Sequence, residues 1–217
     1  MKNEFFQAKT KALLVQSKFS SASFWNYVDV CELTGAKYTA SPLGLMTVAA
    51  LLPQHWEFKL VDVNVEPLTD EHFKWADIVF TGGMLPQQNE ILKTINRAHQ
   101  FGRLVAVGGP DPTSQPKVYE SADFLVTGEG EITIPMFLED LHKGIKKGRY
   151  YSEEKADMSN AVVPRFDLID FKNYMQVGIQ YTRGCPFLCE FCDIIELYGR
   201  VPRSKTNEQV ILELQTL

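Results

Sequence analysis

Histidine is scarce in this chain, at four residues in 217 (His55, His72, His99 and His142), with none after position 142. The later part of the chain therefore offers no imidazole to complete a Cys–His zinc site. Cysteine is equally sparse: Cys31 stands alone, and Cys185, Cys189 and Cys192 share one short stretch. No run approaches the ~18 apolar residues of a membrane-spanning helix. The apolar part of "MKNEFFQAKTKALLVQ" is too short for the core of a signal peptide. Positive charge is in deficit, 22 Lys and Arg against 27 Asp and Glu, so there is no reason to expect a nucleic-acid face. The longest basic run, "KGIKKGR" (143–149), reads as the solvated end of a helix rather than a lipid-binding patch. No GxGxxG follows the first apolar run and no GxxxxGK[ST] occurs, which argues against a Rossmann dinucleotide site and a P-loop. The expectation is a cytoplasmic protein, whose clustered thiols stay reduced and point to metal more than to disulfides. Cys31 reads as an ordinary small side chain.

What is present alternates. Short β-branched runs at 11–16, 57–65, 77–83, 103–110 and 123–130 are separated by stretches of helical period. "SPLGLMTVAALLP" (41–53) reads as a helix capped by Ser41 and ended by Pro53. "TDEHFKWA" (69–76) reads as a short helix. "QQNEILKTINRAHQ" (87–100) puts Ile91, Leu92, Ile95 and Ala98 on one face, with Gly102 just beyond. The pattern predicts an α/β fold: a doubly wound, five-stranded parallel sheet of flavodoxin-like size over residues 1–144. Residues 145–174 read as a linker that packs across the surface. Residues 175–217 read as one strand–loop–helix unit, with a strand at 175–182 and a final helix from 206. Thr206 and Gln209 have capping-box spacing there, and Val210, Ile211, Leu214 and Leu217 form one apolar face.

Three strand ends carry glycine turns: "TGGM" (81–84), "VGGP" (107–110) and "TGEGE" (127–131). Ligands of open parallel sheets bind beyond the carboxyl ends of the strands, and glycine lets the backbone come close. Three such turns on one edge point to a ligand site. The turns alone leave flavin, a corrinoid or no ligand open.

Cys185, Cys189 and Cys192 form CxxxCxxC within "RGCPFLCEFC". Three thiolates on one tight loop, with no fourth ligand at hand, suit a 4Fe-4S cluster with one iron left open. Cys31 is a conceivable fourth ligand, but nothing in the sequence brings it there.

CxxxCxxC with Phe191 before the last cysteine, after a strand and ahead of a helix, resembles the signature of radical S-adenosylmethionine enzymes. The resemblance implies that Cys185, Cys189 and Cys192 hold the cluster and that Phe191 lies near the adenine of S-adenosylmethionine. It further implies radical chemistry and an electron donor such as flavodoxin or ferredoxin. The α/β domain ahead of the loop is similar to that of the cobalamin-binding subclass, through the Pro-Leu-Gly helix start and the "GGP" and "TGEGE" turns. This implies a corrinoid pocket drawn from Ser41, Pro42, Leu43, Gly82, Gly83, Met84, Gly108, Gly109, Gly128, Glu129 and Gly130. The DxHxxG motif that supplies an axial histidine in other cobalamin domains is absent.

"FCDIIELYGRVPRSK" (191–205) resembles the group that includes hopanoid C-2 methylases, which implies methyl transfer to a carbon of a lipid or other small molecule. Arg200, Arg203 and Lys205 are open between holding an anionic group and being solvated charges. Three functions remain in play: a radical methyltransferase, a radical enzyme of cyclisation or rearrangement, and a plain corrinoid- or flavin-binding module. Since a radical-enzyme barrel needs several βα units, the chain is expected to be an inactive N-terminal fragment.

Overall fold

The computed structural model describes residues 9–23 and 26–217. Strand β1 (Lys11–Gln16) turns Ala12 and Leu14 to one face and Leu13 and Val15 to the other, all fully buried. A strand apolar on both sides belongs in the middle of a sheet covered on both faces. It pairs in parallel with β3 (Glu57–Asp62) on one side and β4 (Ile78–Gly82) on the other. Beyond β4 follow β5 (Leu104–Gly108), β6 (Phe124–Val126) and β7 (Gly148–Tyr150), giving the order β3-β1-β4-β5-β6-β7.

The first five of these in space have the flavodoxin-like order, but the sheet has six strands, not five. The extra strand, β7, lies inside the stretch expected to be a linker. Three residues are too few to show alternation in a sequence. What holds β7 is local: Thr127 N and Oγ1 both donate to Tyr150 O, and the Tyr150 ring meets Phe137 edge to face at 6.0 Å.

Helices cover both faces. Helices α2 (Leu43–Leu51) and α6 (Gly130–His142) pack with Leu14, Phe80 and Phe124. Helices α3 (Asp70–Trp75) and α4 (Gln88–Gln100) pack with Leu13, Val79 and Val105. On α4, Ile91, Ile95 and Ala98 are fully buried, and Gly102 follows with φ 66°. Helix α2 begins after Pro42 rather than under a Ser41 cap: Ser41 Oγ makes no capping bond, and Ser41 N is bonded to Gln176 O. A short helix, α1 (Val28–Thr34), precedes β2 (Tyr38–Ala40), and α5 (Pro110–Ser114) follows β5.

The later residues fold against this domain. The expected strand at 175–182 is two strands. β8 (Tyr174–Gln176) pairs in parallel with β2, and β9 (Thr182–Arg183) pairs antiparallel with β10 (Arg203–Ser204). Between them lie the cysteine loop and α7 (Ile194–Tyr198); α8 (Asn207–Gln215) comes last. The Thr206–Gln209 capping box forms, with Thr206 Oγ1 accepting from Gln209 N and Gln209 Oε1 accepting from Thr206 N. The apolar face expected on α8 is not buried: Ile211, Leu214 and Leu217 are exposed, and Glu213 is buried instead. A Lys205–Glu213 ion pair turns the flank of that face inward, since Glu213 lies one turn from Val210 and Leu217.

Among the described residues no helix is long and apolar enough to cross a membrane.

Candidate functional site

Strand order reverses beside β1, since β3 lies on one side and β4 on the other. The connections diverge at such a switch point and leave a crevice beyond the strand ends. Gln16, Thr81, Gly82 and Gly83 stand there and, with Gly108, Gly109, Gly128 and Gly130, line a cavity of about 240 Å³. Leu45, Val48, Phe80 and Phe137 make its apolar wall. Buried hydrogen bonds fix the rim: Thr81 Oγ1 donates to Val15 O at 2.9 Å, and Gln87 Nε2 donates to Ser17 O at 2.6 Å.

The glycines differ in what requires them. A Cβ on Gly82 would sit 2.0 Å from Gly108 O, and one on Gly108 would sit 2.5 Å from Val126 O. The neighbouring strands alone demand glycine at both. Gly109 and Gly128 have φ of 99° and 81°, a region that L side chains rarely adopt. Gly44 is the exception. It is helical, lines the cavity, and a Cβ there would meet nothing within 4 Å.

A second cavity of about 170 Å³ shares Gly44, Val48, Gly128, Gly130 and Tyr198 with the first, and adds Leu43, Glu129, Glu131 and Arg183. Of the predicted pocket residues, the six glycines line the first cavity, while Leu43 and Glu129 line the second. Ser41, Pro42 and Met84 line neither. Met84 packs against the Phe19, Tyr38 and Tyr174 cluster. Ser41 is buried at the start of α2, and its hydroxyl has no partner among the described residues.

Glu129 is fully buried at its side chain and is held by two arginines. Arg203 Nη2 donates to Oε1 at 2.6 Å; Arg203 Nη1 and Arg183 Nη1 donate to Oε2 at 2.8 and 2.9 Å. Ala156 N adds a fourth bond, at 3.1 Å. Burial pushes the Glu129 carboxyl up, but the bonds from Arg203 and Arg183 outweigh it and hold it below the usual carboxylate range. Arg183 also grips Glu131 through both terminal nitrogens at 2.9 Å. Arg203 and Lys205 are thus neither solvated nor free to hold an anion, since their charges are spent on Glu129 and Glu213. Arg200 is exposed.

The cysteine loop starts from Gly184, whose φ is 96° and whose Cβ would stand 2.6 Å from Val201 O. Cys185 N donates to Gly199 O, and Cys192 N donates to Cys189 O. All four thiols are free, and Cys31 is buried beside Thr39. Among the described residues no three Cys, His, Asp or Glu side chains are gathered closely enough to hold a metal ion. Phe187, Leu188 and Phe191 are exposed, Phe191 at 93%.

Sequence reasoning missed Gly44, Phe80, Thr81, Arg183 and Tyr198. Gly44 had a signal, a glycine with no turn to make inside an apolar helix. Arg183 and Tyr198 had none, because their places depend on contacts far along the chain.

Residues 33–138 match the B12 binding domain family. Over 209 residues the chain is 46% identical to an uncharacterized methyltransferase of Synechocystis, covering 95% of this chain and 39% of that protein. It is 39% identical over 180 residues to the hopanoid C-2 methylase of Rhodopseudomonas palustris, covering 81% and 34%. It is 25% identical over 215 residues to the bacteriochlorophyllide d C-12(1)-methyltransferase of Chlorobaculum tepidum, covering 96% and 45%. The chain therefore spans less than half the length of each of these relatives.

Proposed function

We propose, for a chain that groups with the cobalamin-binding radical S-adenosylmethionine enzymes through its B12-binding domain and methyltransferase relatives, that the whole protein is a cobalamin-dependent methyltransferase. Its substrate in this reading is an unactivated carbon of a lipid or other small molecule, and its setting is the reducing cytoplasm. The observation that carries the reading is the glycine-edged cavity at the switch point, within the stretch matched to the B12 binding domain. Its residues fit a large flat ligand. Gly44 leaves open space where a side chain would project into the cavity.

Cys185, Cys189 and Cys192 would hold a 4Fe-4S cluster by the chemistry of three free thiols on one loop. When bound, the two cofactors would supply methyl transfer and one-electron cleavage of S-adenosylmethionine, with flavodoxin or ferredoxin as electron source. The chain's own part is to bind and orient. Backbone at Gly82, Gly108 and Gly128 would face the ligand, Val48 and Phe137 would exclude water from it, and the Glu129 cluster ties the cysteine segment to the cavity.

Two measurements test the reading. Hydroxocobalamin titrated into the chain is expected to shift its visible spectrum, and anaerobic reconstitution to load about four irons, lost on Cys189→Ala. Zinc in place of iron, or flavin bound in place of corrinoid, would overturn it.

A further inference from the structure

Tyr198 lies well beyond position 138, where the B12 binding domain match ends, yet it lines both cavities. Every other described residue lining the first cavity lies between Gln16 and Phe137. We infer that Tyr198 is a corrinoid-binding residue supplied by the cysteine-bearing segment, held in place by Arg203, Arg183 and the buried Glu129. The inference rests on the corrinoid reading above.

The case begins with how firmly α7 is held. At its start, Ser114 Oγ of α5 donates to Asp193 Oδ2 at 3.4 Å. At its end, Lys155 Nζ donates to Leu197 O at 2.7 Å, and Arg203 Nη2 donates to Tyr198 O at 2.9 Å. Cations at a helix C-terminus satisfy carbonyls that the helix leaves without partners. The Leu197 side chain is buried, which fixes the rotation of this short helix and so the direction of Tyr198. Arg183 lies 6.0 Å from the centre of the Tyr198 ring. Arg183 and Arg203 both continue to Glu129, which stands in the glycine turn of the cavity rim. The ring is therefore tied to the rim it completes.

The chemistry suits the ligand class. A tyrosine offers a flat apolar face and a polar tip, matching a broad macrocycle with an apolar plane and amide-bearing edges. Cys192 lies six positions before Tyr198, so one short segment serves the corrinoid cavity and the cluster loop together.

The experiment titrates the 217-residue chain with hydroxocobalamin, followed by visible absorbance. Tyr198→Ala is expected to weaken binding by about tenfold, the loss of one aromatic contact with its buried area, while Tyr198→Phe, which keeps the ring and loses only the polar tip, is expected to weaken it less. If Tyr198→Ala loses its cooperative melt, Tyr198→Leu replaces it, keeping apolar volume without the flat ring. Glu129→Gln, as a positioning change, is expected to weaken binding in the wild-type background and to add nothing in the Tyr198→Leu background. Wild-type affinity in both Tyr198→Ala and Tyr198→Leu, or equal Glu129→Gln losses in both backgrounds, would overturn the inference and leave the corrinoid reading intact. A wild-type chain that binds no hydroxocobalamin would remove both.

Discussion

Glu129 Oε1 lies 2.6 Å from Nη2 of Arg203, across 74 positions of chain. The bond joins the glycine turn after β6 to the strand beyond the cysteines. Its neighbour Glu131 also meets Arg183, but keeps 15% of its side chain in solvent while Glu129 keeps none. Removing one partner of a buried pair leaves the other charged and desolvated, at a cost of about 3–5 kcal/mol. Glu129→Ala is therefore expected to lower the urea midpoint much more than Glu131→Ala. Equal shifts in the two would contradict a buried, load-sharing role for Glu129.

Two carboxylates set opposite pH trends. Asp62 is pushed up by burial, against the bonds that Asn64 and Tyr174 donate to it. The folded chain then keeps the Asp62 proton where the unfolded chain has lost it, so stability falls as pH rises from the ordinary aspartate range through the raised value. Glu129 is held low, so its contribution is complete above the ordinary glutamate range and is lost as pH falls through its depressed value. Urea midpoints across pH should show Asp62→Asn removing the first slope and Glu129→Gln removing the second. A profile unchanged by Asp62→Asn would refute the first assignment.

Gly44 separates stability from binding. Alanine is the better helix former, by up to about 1 kcal/mol in a helix interior and less at the second residue of α2, and no atom opposes its Cβ at this position. Gly44→Ala is expected to raise the melting temperature while weakening hydroxocobalamin binding, because the new methyl enters space shared by both cavities. Raised stability with full affinity would show that the corrinoid does not use this wall.

Gly82 should behave in the reverse way. With Gly108 O only 2.0 Å from the added carbon, the β4–β5 pairing must part for Gly82→Ala to fold. A loss of about 3 kcal/mol or more is expected in a thermal or urea melt, whether or not cobalamin is present. A near-neutral Gly82→Ala would mean that the strands have slack there.

The α/β order was legible because β1, β4 and β5 are apolar on both faces and the intervening helices have clear period and stops. The glycine turns were legible for the same reason, lying at strand ends where only backbone fits. Strand β7 was not, since "GRY" carries no period and is held by Thr127 and Phe137 from other elements. The buried face of α8 was misread because apolar periodicity assumes that hydrophobic residues go inside, and Lys205 reverses that by burying Glu213. Arg183 and Tyr198 could not be read at all, and Arg203 only as a charge open between an anion and solvent. A charge or an aromatic in a loop acquires its role only when Glu129 or the cavity rim arrives from elsewhere in the fold.

Strand β7 has a consequence for the solution behaviour of the chain. Without it, β6 would present unpaired amides and carbonyls along the sheet's margin, a template on which a second molecule can add a strand. β7 takes that place with only three residues, too few to recruit much. The Arg149 guanidinium caps the carbonyls of Glu120, Ala122, Asp123 and Gly148 beside it. A margin this brief, its one arginine turned onto neighbouring carbonyls, leaves little edge for another strand at the side of the sheet far from β3.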